Sequence, residues 1–544
     1  MTGERVATAR REAGLTQKEL ADRLGVSLWN VERIEDGQED AVARLDALAR
    51  ATGKPRAWFG NGESGVEQTD AAAAPEIDRA NVLVVCWAII LLVCIRFFSE
   101  VVPLLPRAVN FIDIPIFFVL VLAAVLLPST HARLDRSPAV VFLLPTLAFL
   151  MVCAFAMLVN PGRIATGPSL VFIYGYLAPV GVYFAVYRLW PVGAAMSLSR
   201  LFVGLALLQL VVVATISLPR SLAEDNPDLV SGTFGTNAYQ LVFFLLVVGA
   251  LLAGIFTFEP ERRVAKWVPV LFAGMLATVF LAQYRALILT TAVTLLLLGL
   301  LLGTVKVRGL VLGFGVIAIF VGTLSLTAQS LPGLNLAPAV KAFTSNPGQM
   351  VVERIRALDH LAHLYTDHPR YMLTGTGPGT YASRAWQTFA QADRQAKSNV
   401  AGSYVLTFTG GRVYHTDVSD TYIAPQADNP QVFQGSYALK YPYSDYTSLL
   451  AEVGFFGFAA MVFIYLAALF RAGKMALILR RLAPRGDPLP ALALASAIGF
   501  FVLLQMGILQ SWLEVTRLTF PTWILLAVVT KEFQARFGPD RTLT

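Results

Sequence analysis

Twelve apolar stretches of about 20 residues recur along the chain, and they decide what it can fold into. They fall near residues 81–99, 109–128, 138–159, 166–187, 199–218, 237–258, 267–283, 286–304, 309–328, 447–470, 488–510 and 517–530. An α-helix of this length crosses a bilayer, where every backbone N–H and C=O must be paired within the segment. The expectation is an all-α polytopic membrane protein with about twelve transmembrane helices. The chain is 56% hydrophobic and only 15% charged, too little charge for a soluble protein of this size. Cys86, Cys94 and Cys153 all lie in apolar runs, so no disulfide framework is expected. The first 60 residues are mostly polar and helical in pattern. No secretory signal peptide is therefore expected, and the first span should act as its own insertion signal.

Charge between the spans gives an orientation. The basic groups are Arg133 with Arg136, Arg188 with Arg200, Arg262 and Arg263 with Lys266, Lys306 with Arg308, the run from Arg471 to Arg485, and Lys531 with Arg536. With twelve spans they all share one face with both termini. The positive-inside rule makes that face cytoplasmic, so both termini are expected in the cytoplasm. The net charge of +7 is then read as setting topology and meeting anionic lipid. Six regions follow: a helical domain at 1–59, a flexible linker at 60–80, transmembrane helices at 81–328, an extracytoplasmic loop domain at 329–446, further transmembrane helices at 447–530 and a cytoplasmic tail at 531–544.

The loop domain is the most informative part. Between Leu331 and Tyr446 lie four of the five histidines and ten of the seventeen tyrosines. Polar inserts of this length usually carry function. Arg285, in the outer turn Gln283-Tyr-Arg285 between two apolar runs, is on the wrong side for topology and costly at membrane depth, the mark of a functional residue. Arg354 opens the amphipathic stretch Val352–Leu358. His360 and His363 stand one helical turn apart beside Asp359, but no third ligand can be assigned, so no metal site is expected. Gly375, Gly377 and Gly379 lack the strand–helix context of a dinucleotide fingerprint and read as a tight turn. No cofactor is expected. Glu452 heads a span and either orients an arginine or acts as a helix N-terminal acid.

Four stretches recur in a telling order: Ser231–Asn237, Gln283–Ala286, His368-Pro369 with Gly375–Gly379 and Tyr381, and Asp445-Tyr446 leading to Leu450–Gly454 with Phe456-Gly457. Their order and spacing resemble the O-antigen ligase and polymerase superfamily of bacterial envelope glycan transferases, over roughly residues 80–530. The resemblance implies a metal-independent glycosyl transfer outside the inner membrane during cell-surface polysaccharide synthesis. The donor would be a glycan on undecaprenyl pyrophosphate, and the acceptor a hydroxyl of a glycan or lipid-linked sugar. Arg285 and Arg354, with Arg356 as alternative, match the family arginines that would hold the pyrophosphate. Guanidinium is also the fork chemistry prefers for phosphate oxygens. Asn237, Gly377, Gly379, Tyr446 and Glu452 fall in the matching stretches as candidate substrate contacts. The family's His-Asn pair before the following span is replaced by Tyr443-Ser444. His415, His368 and Asp445 therefore remain open as the base, which must reach the acceptor hydroxyl.

At the other end of the chain, Gly14-Leu-Thr-Gln-Lys-Glu-Leu-Ala-Asp-Arg-Leu-Gly-Val-Ser27, with Val31, Ile34, Glu35 and Gly37, resembles the phage-repressor-like helix-turn-helix family. Thr16 and Glu19 form a capping box. The resemblance implies a recognition helix at Ser27–Glu35, with Gln17, Trp29, Asn30 and Arg33 as nucleic-acid contacts. Yet residues 1–60 carry ten basic and ten acidic residues, and DNA affinity rests largely on phosphate attraction. A related family of membrane-anchored helix-turn-helix domains binds a cytoskeletal protein instead. The partner is expected to be DNA or a cytoplasmic protein, with protein docking or regulation ranked first. A membrane-bound transcription regulator is the alternative reading of the whole chain.

Overall fold

The computed structural model describes residues 3–36, 45–54, 74–127, 136–161, 166–258, 266–282, 358–390, 416–422 and 444–537, with short gaps inside these stretches, and the single positions 290, 293 and 294. The chain divides into two compact units, Met1–Pro75 and Glu76–Thr544. Among the described residues the regular elements are all helical.

The first unit holds α1 (Gly3–Glu12), α2 (Gln17–Leu24), α3 (Leu28–Glu35) and α4 (Leu45–Thr52). The capping box forms as expected. The Thr16 N–H donates to Glu19 Oε2 at 2.8 Å, and the Glu19 N–H donates to Thr16 Oγ1 at 3.2 Å. Each side chain thus satisfies a backbone donor that the helix start would leave open. Val6, Ala9, Leu20, Ala21, Val31, Ile34 and Leu48 make one buried core. Glu35 ties the helices together, accepting from Arg10 Nε at 2.6 Å and Gln17 Nε2 at 2.8 Å.

The second unit runs through α5 (Ala74–Arg96), α6 (Asp113–Leu126), α7 (Arg136–Val159), α8 (Thr166–Leu189), α9 (Ala195–Val212), α10 (Leu218–Glu224), α11 (Ala238–Phe258) and α12 (Val268–Leu281). In the polar insert follow α13 (358–367), α14 (Tyr371–Thr374), α15 (Arg384–Ala390) and α16 (Asp417–Tyr422). The chain continues with α17 (Asp445–Leu482), α18 (Leu489–Leu509) and α19 (Thr516–Phe537). Helices α11 and α18 are buried along most of their length. They are apolar all round, as core or membrane helices must be. Trp523 of α19 is the aromatic hub, edge-on to Phe142, Tyr183, Tyr465 and Phe500 at centroid distances of 5.0–5.9 Å. By contrast Phe118, Leu122, Leu144, Met151 and Leu158 of α6 and α7 are exposed. An outward apolar belt suits lipid, which solvates such side chains as well as a protein core does.

Among the described residues, seven helices are long and apolar enough to cross a membrane, where about twelve spans were expected. The difference has physical reasons. Helices α6 and α12 are apolar but short. Helix α19 carries Arg517, Lys531, Glu532 and Arg536, and each meets a polar partner in place, Asp487 for Arg536. Arg517 faces Asp113 at 3.9 Å, Lys531 donates to the Arg188 carbonyl at 3.0 Å, and Glu532 accepts from the Gly193 and Ala195 N–H groups. The runs expected at 286–304 and 309–328 lie outside the described residues, apart from Thr290, Val293 and Thr294. These contacts also sort the helix ends. The starts of α6 and α19 meet at one end of the bundle, and the α8–α9 turn meets the close of α19 at the other.

Candidate functional site

The site grows from a break in α17. At Gly454 the backbone leaves the helix, with φ 65° and ψ −172°, a region essentially reserved for glycine. The break frees the carbonyls one turn before it. Ala451 and Glu452 then accept the Thr376 and Gly377 N–H groups, at 2.8 and 2.9 Å. The Glu452 side chain does more. It is fully buried and accepts the N–H groups of Gly379, Tyr381, Ala382 and Ser383, the last three on Oε1 at 2.9–3.0 Å. One carboxylate thus gathers four backbone donors from the polar insert, each a charge-assisted hydrogen bond. Asn160 Nδ2 and Ser169 Oγ, at the end of α7 and the start of α8, donate to the Gly375 and Pro378 carbonyls at 3.2 and 2.9 Å. The segment from Gly375 to Ser383 is pinned to three helix ends.

Above this clasp the insert has its own small core of Leu361, Leu364, Tyr371, Tyr381, Trp386 and Val418, closed by Ala451 of α17. Thr416 Oγ1 donates to the Thr380 carbonyl at 2.9 Å, and the Tyr365 hydroxyl donates to the Leu450 carbonyl at 2.8 Å. The described parts of the insert form a cap on the bundle end.

Two further buried carboxylates lie beneath it. Asp445 Oδ2 accepts the Leu513 N–H at 2.8 Å. The Tyr176 hydroxyl sits 3.1 Å from Asp445 Oδ1 and 3.2 Å from Glu514 Oε1. Glu514 also takes the Arg384 and Ala385 N–H groups at 3.3 and 3.4 Å, and Arg384 Nε donates to the Ser511 carbonyl at 2.7 Å. Burial, then the nearby charges of Asp445 and Glu452, push the Glu514 carboxyl up to about 8.

At the same end, the stretch Ser231–Asn237 is tied to α5 and α9. Thr233 exchanges hydrogen bonds with Gln209 and donates to the Val93 carbonyl. The Thr236 N–H donates to Glu100 Oε2 at 2.8 Å. Asn237 caps its own loop by donating to the Phe234 carbonyl at 3.3 Å.

The candidate residues divide accordingly. The structure brings Gly377, Gly379, Asp445 and Glu452 together. Tyr446 donates to the Leu504 carbonyl at 2.8 Å, a packing contact with α18. His368 is exposed, its ring 5.2 Å from that of Tyr371. Arg285, Arg354, Arg356 and His415 lie outside the described residues. Described neighbours flank two of them: Ala282 follows α12, Thr290 Oγ1 donates to Met506 Sδ at 3.3 Å, and Thr416 follows His415. In the first unit, Gln17 is engaged with Glu35, Trp29 is 59% exposed with Arg33 stacked 4.5 Å from its ring centroid, and Asn30 sits half-buried on α3. Sequence reasoning missed Glu514, Tyr176 and Arg384. The available signal was an acid standing alone in the short turn between two apolar runs.

An added Cβ at Gly375, where φ is 67°, would run into the Glu452 carbonyl. Gly375→Ala is therefore expected to weaken cap docking by about 1–3 kcal/mol from backbone strain alone. Faster amide exchange at Thr376 and Gly377 is the readout, and unchanged exchange would count against the clasp geometry.

Residues 3–80 match a family model described as a helix-turn-helix domain, running past the boundary expected at 59. The chain carries an N-terminal helix-turn-helix domain. No curated protein matches the chain. What stands is a helix-turn-helix domain on a chain with several helices able to cross a membrane.

Proposed function

We propose that this protein is a membrane glycosyltransferase of the O-antigen polymerase or ligase type. It would move a glycan from undecaprenyl pyrophosphate to an acceptor sugar hydroxyl at the outer membrane edge. The observation that carries the reading is the capture of the Gly375–Ser383 segment by Glu452. Two stretches that resemble the family, far apart in sequence, form one clasp. A third, Ser231–Asn237, is fixed at the same bundle end. A capped, membrane-edge site suits a donor whose tail is lipid and whose leaving group is anionic.

In this reading Arg285 and Arg354 hold the pyrophosphate and stabilise the charge that develops as it departs. His415 or His368 takes the acceptor proton. Asp445 is buried with both oxygens engaged, which suits positioning better than proton abstraction. The helix-turn-helix match favours a second reading, a membrane-bound regulator. Deleting residues 1–75 separates the two. As a transferase, the truncated chain keeps glycan transfer within about twofold of full length at matched membrane level, because the Ala-, Gly- and acid-rich stretch before α5 has the composition of a tether. Normal insertion with complete loss of transfer would contradict this.

A further inference from the structure

Helix α17 turns one stripe inward, with Met461, Ile464, Ala468, Met475 and Leu479 buried at helical spacing. Arg471 falls in that stripe, seven residues after Ile464 and four before Met475. Its Nε and Nη2 are shut off from solvent and meet no hydrogen-bond acceptor among the described residues. These two atoms form one edge of the guanidinium, the edge that grips two oxygens side by side. A buried cation edge left unmatched is costly.

Two more donors reach the same place. The Tyr183 hydroxyl of α8 faces both the Arg471 charge and the Thr530 hydroxyl of α19. Tyr183 and Thr530 are fully buried, and neither hydroxyl makes a well-formed hydrogen bond among the described residues. Aromatic packing brings them together. Tyr183 lies edge-on to Trp523 at 5.9 Å, and Thr530 follows Trp523 by two helical turns on the same face. Glu532, two residues further on, is engaged elsewhere, with the Gly193 and Ala195 N–H groups and with Arg536 at 3.7 Å. Lys474, one turn after Arg471, adds a second cation on the same side of α17.

Arg471 brings donors only, and each hydroxyl adds one. A group that meets them all must present several acceptor oxygens close together and carry negative charge. We propose that Arg471, Tyr183 and Thr530 bind one phosphate group, towards the bundle end where the α8–α9 turn meets the close of α19. The group belongs to a lipid headgroup, entering past the outward-facing Phe470, or to free phosphate. Basic pockets between membrane helices suit anionic headgroups. The proposal stands whether or not the chain transfers glycans.

The test is native mass spectrometry of the full chain, delipidated in neutral detergent and titrated with dioleoyl phosphatidylglycerol in one arm and inorganic phosphate in the other. Wild type is expected to hold one added ligand in at least one arm. Arg471→Met keeps the side-chain length and should weaken that binding by about tenfold or more. Arg471→Lys should recover only part of it, since the fork is lost. Tyr183→Phe keeps the ring packing and should weaken binding by about threefold or more. Arginine-dependent binding of the lipid alone assigns the headgroup, of phosphate alone the free anion, and of both the phosphate group itself. No binding in either arm, or equal binding by wild type and Arg471→Met, would overturn the proposal. If Arg471→Met does not fold, Tyr183→Phe decides, and wild-type affinity in that variant rejects the site.

Discussion

Glu452→Ala is expected to release the cap from the bundle and, under the proposed function, to abolish glycan transfer. The substitution removes the single acceptor of four backbone N–H groups, from Gly379, Tyr381, Ala382 and Ser383. A hydrogen bond to a charged group contributes roughly 1.5–3 kcal/mol, and an orphaned buried donor costs a similar amount. The four share one carboxylate and are not additive. Even so, a loss on the order of 4 kcal/mol or more is expected, enough to leave the segment mostly undocked. Glu452→Gln should fall between. Its carbonyl can serve the three donors on one oxygen, but its NH2 group would then meet the Gly379 N–H donor to donor. Hydrogen exchange across residues 376–386 reads the docking directly. The bundle core around Trp523 should keep its protection, since it lies away from the clasp. Wild-type protection of the segment in Glu452→Ala would contradict the clasp.

Much of this architecture is legible in the sequence, for reasons that differ by element. The helices announce themselves because hydrophobic length is a direct demand of the bilayer. The Thr16–Glu19 box and the Gly turn after α1 are local signals that need no tertiary partner. The three glycines at 375, 377 and 379 all take positive φ, at 67°, 115° and 74°, as a tight turn requires. Glu452 was legible as a candidate but not in its role. An arginine partner or a helix dipole is a pairwise idea, whereas the actual partner is a row of backbone N–H groups some 70 residues earlier in the chain. Tyr176 was hidden among the aromatics of an apolar run, where nothing marks the one ring that reaches a carboxylate. The span count was read from hydropathy, which gives each run the same weight. It does not foresee that α6 and α12 stop short, or that α19 carries charges matched by Asp113 and the α8–α9 turn.

Under the proposed function, Arg285→Ala and Arg354→Ala are each expected to remove detectable polymer while leaving membrane insertion intact. In the sequence Arg285 stands four residues after Leu281, the close of α12, and between two apolar runs, where its cost is best explained by function. Arg354 comes from a separate amphipathic stretch of the sequence, and the proposed function has the two guanidinium groups share one pyrophosphate. Loss of a transition-state charge contact costs about 3 kcal/mol, a hundredfold or more in rate. Lysine at 285 should restore only part of the activity, since it keeps the charge and loses the fork. The deciding measurement is glycan length by gel in a deletion strain complemented with wild type or Arg285→Ala at matched membrane level. A ladder from the wild type and none from Arg285→Ala is the predicted result; a wild-type ladder from Arg285→Ala would contradict a pyrophosphate-dependent transferase centred on this residue.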